Sequence, residues 1–172
     1  WAKRTLWEES TRVPLLFAGP GIKPGAACLE PASLIDIYPT LVELCKLPGN
    51  SHLEGVSLVP QLSDPAAPRD RPAITSSYFG NHSIRTRDWR YIRYENGKEE
   101  LYRVSEDPHE WHNLADNPRH AERLVDFGER LKARLPKPGS IPPQPAWEPK
   151  APNNSKADAE AWKNKYFAKH PD

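Results

Sequence analysis

Six apolar residues in a row, Val13-Pro14-Leu15-Leu16-Phe17-Ala18, end in the turn tripeptide Gly19-Pro20-Gly21. An apolar run of that length between turn residues predicts a strand buried on both faces, as in a parallel α/β sheet. Pro14 is tolerable there only because it stands near the strand's start. The preceding AKRTLWEES has no such pattern and reads as a loop or a short helical turn. Downstream, in SLIDIYPTLVELCKLPG, residues Leu34, Ile37, Leu41, Leu44 and Cys45 recur at helical spacing. Ser33 or Asp36 can cap the amino terminus, Pro39 falls in or near the first turn, and Pro48-Gly49 marks the stop. Strand, loop and helix together describe the end of an α/β layer.

The pattern changes after about residue 64. SDPAAPRDRP has the composition of a linker, and beyond it come short runs rich in Ile, Thr, Tyr, Trp and Val: AITSSYF, SIRTRDWRYIRY and EELYRV. WRYIRYENGKEELYRV alternates apolar and charged positions around Asn96-Gly97, a strong hairpin signal. These runs predict an antiparallel sheet with one solvated face. In PRHAERLVDFGERLKARLP, residues Leu124, Phe127, Leu131 and Leu135 form one stripe of an amphipathic helix. The proline-rich stretch PKPGSIPPQPAWEPKAP predicts extended chain, and ADAEAWKNKYFAKH a last short helix docking through Trp162, Tyr166 and Phe167.

The fold class is therefore α/β followed by a small α+β unit with an antiparallel sheet and a C-terminal helix. Residues 1–64 form the α/β part, 65–135 the small sheet and helix, and 136–172 a proline-rich extension.

Charge changes this picture by exclusion. With 24 basic against 23 acidic residues, nothing electrostatic favours nucleic acid or an anionic membrane as the main partner. No apolar stretch approaches the roughly 20 residues of a membrane span. The chain holds no Met and opens on Trp1, and the expectation is a segment of something larger. Cys28 and Cys45 form neither a CxxC pair nor a zinc spacing. Cys45, within the helical pattern, is expected to be a buried small residue; a Cys28–Cys45 disulfide stays open.

Three groups of residues carry candidate chemistry. Lys3 stands between Trp1 and Trp7, ahead of the apolar run; it is either a surface charge or a ligand for a tetrahedral oxyanion, which three ammonium donors suit. In GNHSIRTRDWRYIRY, His82 and Arg85 put imidazole and guanidinium close together at the mouth of a strand, a pairing that suits an anionic ligand. Arg87, Arg90 and Arg93 read as the solvated face of the sheet. Asp107, His109, Glu110 and His112 superficially form a metal cluster, but Asp107-Pro108 and Asn117-Pro118 are turn signals, so a structural turn is the reading and no metal ligand is assigned. GxSxG, P-loop, HExxH and Gly-rich dinucleotide motifs are absent.

The succession WAKRTLWEESTRVPLLFAGPG, SLIDIYPTLVELCKLPG, LEGVSLVPQL, SIRTRDWRYIRY and ELYRVSEDPHEWHNLADNP resembles the C-terminal third of the formylglycine-dependent sulfatases, over residues 1 to about 117. Within that family WAK before a VPL strand, and SIRT-x-D-x-RY, look most like iduronate-2-sulfatase and its bacterial relatives.

The resemblance implies an alkaline-phosphatase-like α/β core with a smaller C-terminal subdomain, and hydrolysis of sulfate esters, on sulfated small molecules or glycans. It implies a formylglycine made within a C/S-x-P-x-R motif and a Ca2+ ion, neither of which this sequence supplies: Cys28 begins CLEPA and Cys45 begins CKLPG. By itself the chain is expected to be inactive, with the N-terminal catalytic part of the same protein as its partner. Lys3 matches the family's sulfate-binding Lys, and His82 and Arg85 fall where the subdomain approaches the pocket rim, as substrate-binding candidates. The family's compartments are periplasmic, secreted or lysosomal. Two rivals remain: a phosphodiesterase or phosphonate hydrolase of the same superfamily, and a non-catalytic carbohydrate-binding or interaction module.

Overall fold

Four short strands run β1 (Ala73–Ser77), β2 (Asn81–Arg85), β3 (Arg90–Arg93) and β4 (Glu99–Tyr102), and they lie side by side in that order, all antiparallel. The computed structural model describes residues 5–77 and 80–135. The predicted hairpin at Asn96-Gly97 joins β3 to β4: Gly97 takes a left-handed φ of 81°, and Tyr94 N–H donates to the Lys98 carbonyl at 2.9 Å. SIRTRDWRYIRY, read as one run, folds as two strands. A turn at Thr86–Trp89, closed by Thr86 N–H to the Trp89 carbonyl at 2.9 Å, separates β2 from β3. The β4 edge is covered by residues 113–115, where Leu114 N–H reaches the Leu101 carbonyl and Asn113 Oδ1 accepts from Leu101 N–H.

Register places Ile74, Ile84, Tyr91 and Leu101 in one row across the sheet. Helix α4 (Ala121–Lys132), entered through a 3-10 turn at Pro118–His120, packs on that row. Phe127 and Leu131 are fully buried against it, Leu124 and Leu135 flank them, and Phe127 stacks on Tyr91 with ring centroids 6.1 Å apart. The predicted stripe is thus the packing stripe. Each such side chain contributes roughly 1.5–3 kcal/mol of burial.

The opposite face is not solvated, contrary to the expectation of one wet side. Ser83, Arg90, Ile92 and Tyr102 are buried there, covered by Leu6 and Val104. A sheet buried on both faces loses the clean alternation that the sequence displays, because Arg90 is charged yet internal.

The amino-terminal half departs further from expectation. Residues 13–18 form no strand, and Leu16 is 86% exposed. A doubly buried parallel strand needs neighbours on both sides, and none pairs with this segment among the described residues. Helix α1 (Glu8–Thr11) precedes it. The predicted helix forms as a 3-10 turn at Leu34–Asp36 continuing into α2 (Ile37–Leu44), but Leu34, Ile35, Tyr38 and Leu41 face outward while Asp36 and Thr40 are buried. Cys45 is exposed rather than buried, and Cys28 and Cys45 are both free thiols.

Asp36 explains this reversal. Its carboxylate accepts from Ser33 N–H and Val56 N–H, each at 2.8 Å, and pairs with Arg69 at 2.7 Å. Thr40 Oγ1 adds a bond from Leu58 N–H at 2.9 Å, bringing the loop ahead of α3 (Val59–Ser63) onto the polar side of α2. The helix therefore packs through its hydrogen-bonding side. The proposed extension and terminal helix, with Trp162, Tyr166 and Phe167, lie outside the described residues.

Candidate functional site

Chain direction brings residues 6–8 across the second face of the sheet, and four ionic side chains meet there. Leu6 is buried with Ile92, Tyr102 and Val104, and the Trp7 indole N–H donates to Glu100 at 2.7 Å. The adjacent Glu8 carboxylate pairs with Arg85, whose Nε is 3.1 Å away, and with Arg90. Arg90 also donates to the Leu6 carbonyl at 2.8 Å and lies 2.6 Å from Glu110, whose other oxygen accepts from Glu8 N–H at 2.7 Å. Arg85 and Arg90 face each other across β2 and β3, so the sheet presents both guanidinium groups to one short segment. Two cations and two anions balance, as a buried network requires.

The two carboxylates shift in opposite directions. Burial pushes the Glu8 carboxyl up, but the hydrogen bond and charge of Arg85, with the charge of Arg90, outweigh it and hold Glu8 below its ordinary pKa. For Glu110 burial prevails over the Arg90 charge, and its pKa is raised. Glu110 reaches the network from a left-handed backbone position, φ 56°, within the turn after β4.

Lys3 lies outside the described residues, which begin two positions after it, at Thr5. His82 and Arg85 share β2 but occupy opposite faces, because residues three apart on a strand point to opposite sides. Arg85 is committed to Glu8 and to the Thr86 and Arg87 carbonyls. His82 shares a 2.8 Å hydrogen bond with Ser76 Oγ, and burial together with the cross-strand Arg93 charge lowers its pKa. It is therefore a neutral imidazole at neutral pH and offers hydrogen bonds, not charge, to an anion.

Of the titratable side chains of the DPHEWH turn, Asp107 and His112 come near each other, Oδ2 3.7 Å from Nδ1, and the others find different partners. Asp107 accepts from His112 N–H at 2.8 Å, His109 stacks on Trp111, and Glu110 turns in to Arg90. Among the described residues no group of three or more His, Cys, Asp or Glu is placed to hold a metal ion. The exposed Cys28 and Cys45, outside any C-x-P-x-R pattern, are not formylglycine precursors. These residues do not fit calcium or formylglycine.

Sequence reasoning missed Glu8, Arg90 and Glu110 as a unit. The one usable signal was chemical: an Arg inside the apolar β3 run, within reach of two acids, is better buried and paired than solvated.

Residues 1–137 match the family described as N-sulphoglucosamine sulphohydrolase, C-terminal. The chain belongs to the sulfatase family. It is 40% identical over 137 residues to a sulfatase of Formosa agariphila, covering 80% of this chain and 26% of that protein. It is 35% identical over 128 residues to arylsulfatase K of Homo sapiens, covering 66% of this chain and 24% of that one. A solved 2-O GAG sulfatase superposes with a TM-score of 0.64 at 28% identity, over 75% of this chain and 30% of that structure. The sulfatase chain described here thus spans about a quarter of the length of these curated relatives and corresponds to their C-terminal region. The four-stranded sheet with α4 lies within the matched region, and its charged seam holds Leu6 and Glu8.

Proposed function

We propose that this chain is the C-terminal part of an enzyme that hydrolyses sulfate esters on sulfated glycans, with Lys3 holding sulfate oxygens. The observation that carries the reading is the family match over residues 1–137, which includes the WAK segment and the seam that fixes Leu6 and Glu8. A fixed ammonium near the sulfate stabilises the charge shared by substrate and transition state. Leu6 and Glu8, held by Arg90, follow Lys3 in the sequence by three and five residues.

Calcium and formylglycine belong, on this reading, to the remaining three quarters of the protein, as does the alkaline-phosphatase-like core that the exposed residues 13–18 and the apolar side of α2 would join. His82 and Arg85 remain rim candidates on opposite faces, with His82 as a hydrogen-bonding group and Arg85 acting through Glu8. An iduronate-2-sulfatase-like specificity, and a periplasmic, secreted or lysosomal site of action, complete the reading. The support for a glycan substrate is the likeness to a 2-O GAG sulfatase.

The test is turnover by the complete protein of an aryl sulfate and of the matching phosphonate ester. Sulfate turnover that falls by about 3 kcal/mol in kcat on Lys3→Ala, the scale of a lost oxyanion donor, supports the reading. A wild-type rate in that variant removes Lys3 from the site, and preferential phosphonate turnover selects the superfamily rival.

A further inference from the structure

A cleft of about 210 Å³ opens between the Arg69–Pro72 segment, the Thr86–Trp89 turn and helix α4. It has room for about seven waters at ~30 Å³ each, enough for one sulfate or carboxylate and part of its sugar ring. Five arginines and three carboxylates line it, whereas the chain as a whole carries a net charge of only +1. The positive character is local.

Two of those arginines are neutralised: Arg87 pairs with Glu30 at 3.3 Å, and Arg69 with Asp36. Arg69 is 5% exposed, and its Nε–H has no acceptor among the described residues. Of the other three, Arg130 pairs at 3.7 Å with the exposed Asp126, whereas Arg71, among the described residues, has no ion pair and donates to the Glu54 carbonyl. Arg123 has no ion pair among the described residues; its guanidinium lies 4.2 Å from the centroid of the Trp89 ring. The side chain is exposed and, among the described residues, has no carboxylate on it, and a guanidinium can grip an oxyanion with two parallel bonds. Crowding is evident next to the cleft, where burial and the charges of Arg71 and Arg130 depress the pKa of Arg134.

We propose that this cleft binds a sulfate or carboxylate group of a sulfated glycan chain, with Arg123 as the forked ligand and Arg71 and Arg130 beside it. The proposal rests on the sulfated-glycan reading above and adds a second anchoring point on the same chain of sugars. Guanidinium forks favour planar or tetrahedral oxyanions over simple counter-ions. The near-neutral charge of the chain argues against a nucleic-acid backbone as the occupant.

The experiment is fluorescence anisotropy of the complete protein with a labelled heparin octasaccharide, its desulfated counterpart, and inorganic sulfate as competitor. Arg123→Gln combined with Arg130→Gln is expected to raise the Kd for the sulfated octasaccharide by about tenfold, with Arg123→Lys intermediate. Asp88→Asn removes a carboxylate from the cleft and is expected to lower that Kd by about two- to threefold, which decides the matter even if the arginine variants do not fold. Unchanged affinity in these variants, or equal affinity for the desulfated chain, overturns the proposal. Wild-type protein that binds the octasaccharide through these arginines but hydrolyses no sulfate ester defeats the enzymatic reading while leaving the cleft in place.

Discussion

Arg90 Nε lies 2.6 Å from Glu110 Oε1, and both side chains are 2% exposed. Neither atom has a hydrogen bond of good geometry, so the contact is an ion pair rather than a directed bond. The remaining guanidinium nitrogens complete the arrangement by meeting Glu8 and the Leu6 carbonyl. This one side chain therefore joins the turn after β4, strand β3 and the segment after Lys3.

Removing Arg90 leaves Glu110 buried without its cation and Glu8 with Arg85 alone. Arg90→Met is expected to cost about 3–5 kcal/mol, the usual cost of breaking a buried pair from one side. Replacing Glu110 as well, in Arg90→Met with Glu110→Gln, should recover part of that loss, since the Glu8–Arg85 pair remains and no charge is then stranded. Urea midpoints of the single and double variants check this. A double variant less stable than the single one would show that the seam is worth more as ions than as packed volume.

Acid should weaken the seam through Glu8. Its lowered native pKa means that the unfolded chain takes up this proton first, at the ordinary glutamate value near ~4.3. The stability it contributes is present above that value and is lost as the pH falls through the native one. Glu110 has the opposite sign: its raised pKa gives a contribution complete below the ordinary value and lost as the pH rises through the native one. Glu8→Gln should flatten the acid limb of a stability profile, whereas Glu110→Gln should remove a decline toward neutrality. Unfolding between about pH 3 and 7 separates the two variants.

Gly55 is the tight point of the amino-terminal half. A Cβ there would stand 2.0 Å from the Ile35 carbonyl oxygen and 2.6 Å from its carbon, both backbone atoms. Gly55→Ala must push the loop away and break the Val56 N–H bond to Asp36, leaving the buried Arg69–Asp36 pair less well solvated by the chain. The expected cost is about 1–3 kcal/mol, as for other overpacked positions, read from the thermal midpoint. A neutral substitution would mean that the loop is held elsewhere.

The legible parts of this fold were those whose signals are local. Asn96-Gly97 sets its own turn, and the Leu124, Phe127, Leu131 and Leu135 stripe packs where its spacing points. Residues 13–18 and the apolar side of α2 were misread because apolarity alone predicts burial, and the described residues leave most of both exposed. Arg90 was misread for the reverse reason: alternation assigns a charged residue to solvent, and only the arrival of Glu8 and Glu110 from distant parts of the chain makes its burial affordable. Of the candidate site, β2 was legible as the carrier of His82 and Arg85. Their separation onto opposite faces follows from strand parity, but the inward course of Leu6–Glu8 does not.

The exposed apolar surface gives the last prediction. Leu16 is 86% and Leu41 46% exposed, and Leu34, Ile35 and Tyr38 lie open on the same helical segment as Leu41. An open surface of that kind marks a contact, and the matched residues cover only about a quarter of the curated relatives. In the complete protein, Leu16→Lys and Leu41→Lys should each cost at least the burial of one leucine, roughly 1.5–3 kcal/mol, and more if the ammonium is enclosed. In the 172-residue chain alone the same changes should cost almost nothing and should reduce self-association. Denaturation of both forms, with light scattering of the short one, distinguishes the cases. Equal and small effects in the two would mean that this surface faces water in the complete enzyme as well, and that residues 13–18 are not a strand of its core sheet.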